Sequence, residues 1–149
     1  MKGYRKFMTK DVIIAIKGMQ NGMEDDGPVE VISSGIYHYV DGKHEVYYEE
    51  IDEGETGEKG ITKNIIRIGP HTVEVLKTGI NNTHMVFVEN EKNITYYNTP
   101  FGEIMVGLDT TEFKLVEEEN AIGVLLKYGL EMNQNFVSEC NITIKIISK

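Results

Sequence analysis

Lys77 and Glu50 are the pair whose placement invites chemistry, because each falls at the end of a predicted strand whose other same-face residues are apolar or aromatic. A charge inside a barrel demands a partner or a ligand, since an ion removed from water without one is strongly disfavoured. The resulting expectation is a barrel mouth that Lys77 reaches. There Lys77 holds a carboxylate or phosphate, with Tyr48, Tyr97 and Thr99 as neutral donors. The bland alternative is a rim ion pair, or two side chains that keep their charged heads in water. Tyr37, Tyr39, Tyr48, Tyr97 and Tyr128 combine an apolar body with a polar tip, which suits either lining a ligand cavity or filling a core. Small barrels are just wide enough for either outcome.

Other residue groupings carry less. The acidic run from Glu49 to Glu58 offers oxygens to a hard cation but lacks the Asp-x-Asp-x-Asn-Gly spacing of a calcium loop, so it reads as a solvated loop. Gly54, Gly57 and Gly60 are not followed by Gly-Lys-Ser/Thr, and the glutamates around them would repel phosphate. His38, His44, His71 and His84 have no metal-ligand spacing, and His38 and His44 fall on opposite faces of one hairpin. Neither a metal nor a cofactor is expected. Cys140 lies on the apolar side of its strand, as a small buried hydrophobe does. Ser33, Ser34 and Ser138 lack a nucleophile-elbow context. An enzyme would need a site assembled across strands, and it stays as one alternative.

The elements that must hold these residues follow from alternation. Pairs of apolar residues two positions apart recur in about ten short blocks separated by Gly, Asn, Asp and Pro. The predicted fold is all-β, a single antiparallel up-and-down meander β-barrel of about eight to ten strands. Asp41-Gly42 between two alternating runs signals a two-residue type I′ hairpin, which sets Val40 opposite Lys43, Tyr39 opposite His44, His38 opposite Glu45 and Tyr37 opposite Val46. Gly69-Pro70 is expected to link the next pair of strands, and Asp52 to Gly60 to form a mobile acidic loop. The eighth strand alternates Ile104, Val106 and Leu108. Ala121 to Leu130 admits a helix, but its β-branched residues with Gly123 and Gly129 favour a strand. Pro100 ends the seventh block at a bend or edge.

Composition narrows the partners. Residues 1–10 form a basic N-terminal tail with Lys2, Arg5, Lys6 and Lys10, ahead of a single barrel domain over 11–149. Without that tail, 15 − 4 = 11 basic residues face 24 acidic ones, a formal charge of −13 against −9 for the whole chain. Such a surface repels phosphate backbones, so neither nucleic acid nor an anionic membrane is an expected partner. No run approaches the roughly 18 apolar residues of a membrane span. One cysteine excludes an internal disulfide and fits the cytoplasm. The oligomeric state is left open.

Several blocks in order resemble one family. They are Ser34-Gly35-Ile36-Tyr37, Tyr48-Glu49-Glu50, Lys77-Thr78-Gly79 with Met85-Val86-Phe87, and Tyr97-Asn98-Thr99-Pro100-Phe101-Gly102. Asp109-Thr110, Tyr128-Gly129-Leu130 and Asn141-Ile142-Thr143-Ile144 continue the series. Together they resemble the YwiB-like family of small bacterial proteins, a domain of unknown function, over Val12 to Ile147. The resemblance implies a calycin-like, lipocalin-type barrel and no agreed catalytic residue. It also implies Arg where this chain has Lys77, so a point charge replaces a planar fork. The leading expectation is a non-catalytic barrel that binds a small, partly apolar, possibly anionic ligand in its mouth. A protein-interaction module docking through a strand edge or the Pro100-Phe101 bend is the alternative.

Overall fold

Period-two alternation becomes ten antiparallel strands in one sheet. The computed structural model describes residues 8–21, 29–53, 57–79, 82–99 and 102–149. Its strands are β1 (Asp11–Asn21), β2 (Val29–Val40), β3 (Lys43–Glu53), β4 (Lys59–Ile68), β5 (Thr72–Gly79), β6 (Thr83–Val88), β7 (Lys92–Thr99), β8 (Gly102–Glu118), β9 (Ala121–Met132) and β10 (Asn135–Ser148). No helix occurs among the described residues. The order across the sheet is β6-β5-β4-β3-β2-β1-β10-β9-β8-β7, so the first and last strands pair and the sheet curls into a nearly closed barrel. Its seam lies between β6 and β7, which share no ladder. Inward residues from every side make one core, including Ile14, Val46, Ile66, Phe87, Leu126 and Ile146.

The Asp41-Gly42 hairpin has the expected register, with Val40, Tyr39, His38 and Tyr37 opposite Lys43, His44, Glu45 and Val46. Both turn residues have positive φ, 52° at Asp41 and 79° at Gly42, as a type I′ turn requires. Gly42→Ala therefore places a Cβ on a left-handed residue and should cost about 1 kcal/mol, read as a lower denaturation midpoint with unchanged slope. Ala121–Met132 is a strand, as its β-branched content favours.

Two expectations need correction. The β4–β5 turn centres on Pro70 and His71, not on Gly69-Pro70, because Gly69 N–H donates to Thr72 O (2.9 Å) and Ile68 pairs with Val73. Pro70, with φ preset, takes the first central position, and the slip of two leaves every side chain on its expected face. The acidic loop is shorter than predicted, since the β3–β4 ladder continues through Asp52 with Gly60 to Glu53 with Lys59. The eighth strand carries the expected Ile104, Val106 and Leu108 and runs on to Glu118. A bulge between Thr110 and Glu112 reverses its alternation, so Phe113, Leu115 and Glu117 turn to the side that Val106 and Leu108 occupied before it. The expected Pro100-Phe101 bend and most of the basic tail lie outside the described residues.

Candidate functional site

The two ends of the barrel differ in kind. At one end lie the tight turns at Asp41-Gly42, Pro70-His71 and Glu89–Glu91. There His44 on β3, only 2% exposed, reaches across the lumen to β8. Its Nε2–H donates to Glu117 Oε2 (2.6 Å), and its Nδ1 shares a hydrogen bond with the Tyr37 hydroxyl (2.8 Å). The carboxylate fixes a proton on Nε2, because only a protonated Nε2 can serve it. Since β3 and β8 are far apart in the sheet order, the bond is a strut across the barrel. Tyr39 packs edge-on against His44, at 5.2 Å between ring centroids, with its own ring partly in solvent. Tyr37, predicted as a ligand contact, belongs to this strut.

At the opposite end the sheet parts. The β2–β3 ladder stops at Ile36 with Tyr47, so β2 before Ile36 and β3 beyond Tyr47 do not pair with each other. On the inner face of β3, β4 and β5, ladder partners bring Tyr48, Asn64 and Lys77 into one row and Glu50 with Thr62 into the next. Glu50 is six residues from His44, about 20 Å along the strand. Its Oε1 accepts from Lys77 Nζ (3.2 Å) and from Asn64 Nδ2 (3.1 Å). Asn64 Nδ2 also lies 3.4 Å from Thr62 O. These two contacts orient the amide, leaving Asn64 Oδ1 turned away from them. That oxygen and Thr62 Oγ1 are buried without a hydrogen-bond partner, on residues that are both 0% exposed. Asn64 and Thr62 were missed in the sequence, although both share the alternation of Ile66 and Ile68.

Lys77 connects this cluster to the outside. It lines a groove of about 490 Å³ at the β6–β7 seam, together with Thr83, His84, Thr95 and Tyr97. The Tyr97 hydroxyl crosses the seam and donates to His84 O (3.0 Å), a side-chain bond where no ladder exists. Burial holds its phenol above the ordinary range, only partly offset by that bond. Thus the predicted Lys77, Glu50 and Tyr48 gather at the split end, and Tyr97 lines the seam groove that Lys77 shares. Tyr128 packs 4.8 Å from Phe87 within the core, and burial pushes its phenol strongly upward. It fills the barrel. Thr99 ends β7 in the backbone, while its side chain lies outside the described residues.

Other titratable groups pair on the surface. His71 meets Glu89 at 2.8 Å and His84 meets Glu74 at 2.6 Å. Among the described residues no group of three or more His, Cys, Asp or Glu is placed to hold a metal.

These features define a class of protein: an antiparallel β-barrel tied across one end by a buried polar strut and parted at the other over a half-satisfied polar cluster. The chain belongs to the YwiB-like family, for a family model described as a domain of unknown function (DUF1934) matches residues 14–144. It is 27% identical over 126 residues to the uncharacterized beta-barrel protein YwiB of Bacillus subtilis (strain 168), covering 82% of this chain and 84% of that protein. The crystal structure of the ywiB protein from Bacillus subtilis superposes with a TM-score of 0.71 at 21% identity, covering 99% of both chains.

Proposed function

We propose that this barrel binds a small, partly apolar molecule at its split end and carries out no chemistry on it. The observation behind this reading is the pair of unpartnered buried oxygens, Asn64 Oδ1 and Thr62 Oγ1, beside the Glu50–Lys77 ion pair. Each such atom costs about 1–3 kcal/mol, a cost that a ligand group seated there offsets. The seam groove has the volume of ordinary ligand pockets and offers Tyr97 as an apolar wall with a polar tip. Lipocalin-type kinship belongs to the same proposal, and so does a cytoplasmic setting, which is supported by the free, buried thiol of Cys140.

Native mass spectrometry of freshly purified protein tests it. The expected spectrum shows an adduct on the order of a few hundred daltons, the size class such pockets take. The adduct is lost in Asn64→Leu and weakened in Thr62→Val. An unliganded mass, or an adduct fully retained by both variants, overturns the proposal. A second protein in the spectrum would instead favour docking on a strand edge at β6 or β7.

A further inference from the structure

The atoms left open at the split end are oxygens. Asn64 Oδ1 and Thr62 Oγ1 have no partner, and Glu50 presents a carboxylate beside them. The cation at the site, Lys77, already sits on that carboxylate at 3.2 Å, so an incoming anion would have to displace Glu50 and then face it unpaired. The chain's formal charge of −9 opposes anions at longer range and draws in cations. Lys77 therefore occupies the place of a ligand, as a primary ammonium resting on a cluster of acceptors. It is about one-third exposed toward the seam groove, and its flexible four-carbon stem can carry the ammonium out among the hydroxyls of Thr83 and Tyr97.

Resting on the small-molecule reading above, we propose that the ligand class is a hydrogen-bond donor on an apolar body, a protonated amine foremost. Its N–H groups take Glu50, Asn64 Oδ1 and Thr62 Oγ1 when the Lys77 ammonium withdraws. A carboxylate or phosphate, the class expected from Lys77 alone, is disfavoured.

Three probes of one size separate the possibilities: benzylamine, benzyl alcohol and benzoate. Each is titrated into isotope-labelled protein while the Thr62 methyl, the Asn64 side-chain amide and the Lys77 side-chain methylenes are followed by NMR. The expected result is that benzylammonium shifts all three signals and binds about tenfold more tightly than benzoate, with the alcohol between them. Glu50→Gln should erase the advantage of the ammonium over the alcohol. Benzoate binding as tightly as the amine, or a preference that survives Glu50→Gln, overturns the donor class while leaving small-molecule binding in place. If no probe moves the Thr62 or Asn64 signals, the binding reading falls and the inference with it.

Discussion

His44→Ala lowers the melting temperature by roughly 6–12 °C, as followed by far-UV circular dichroism. The figure comes from about 3 kcal/mol for a buried ring and two lost hydrogen bonds, at about 2–4 °C per kcal/mol for a chain of this length. His44 is the middle of the strut. Without it the Tyr37 hydroxyl loses its bond to the ring, and the Glu117 carboxylate, about a quarter exposed, loses its Nε2–H donor. Glu117→Leu should cost less, about 1–3 kcal/mol, because it strands one buried N–H instead of opening a cavity. Glu117→Gln keeps an acceptor for Nε2–H and should be the mildest of the three. Because His44 and Glu117 touch, the double variant should be less destabilised than the sum of the singles. If His44→Ala melts within about 2 °C of the unaltered protein, the cross-barrel bond is incidental.

Much of this architecture was legible because it rests on local rules. Asp41-Gly42 demands positive φ twice, and that one demand sets the β2–β3 register and the inner face of Tyr37, Val46, Tyr48 and Glu50. Parity did the same for Ile122 to Leu126 on β9 and for Cys140 to Ile146 on β10. The Lys77–Glu50 contact was also within reach, as two charges at the ends of apolar faces. What escaped was set by contacts distant in sequence. The bulge at Thr111 carries no glycine or proline to announce it, yet it alone turns Glu117 inward, and so the strut had no visible second member. His44 shares its alternation with Val46, but an isolated histidine reads as surface until a partner is known. Nor could local patterning place the seam between β6 and β7 instead of between the chain's first and last strands. That choice depends on which edges meet when the whole sheet curls.

The second large effect has the opposite sign. Thr62→Val should raise stability by about 1–2 kcal/mol, or roughly 2–8 °C in melting temperature, because it replaces a buried hydroxyl that has no partner with a methyl of similar shape. Thr110 provides the control, since its Oγ1 is equally buried and unpartnered but lies on β8 beside Tyr128, away from Glu50 and Lys77. Thr110→Val should stabilise to a similar degree and leave any co-purifying adduct untouched, whereas Thr62→Val should weaken adduct retention about tenfold. Scanning calorimetry with native mass spectrometry on the same samples reads both quantities. A Thr62→Val protein that is more stable and equally well loaded would make the hydroxyl a mere packing defect. Stability gained together with binding lost would mark Thr62 as a polar group kept in the lumen for the sake of a ligand, the trade between stability and function that strained sites display. Asn64 cannot serve in its place, because Asn64→Leu also severs the bonds to Glu50 and Thr62 O, and the two effects oppose each other.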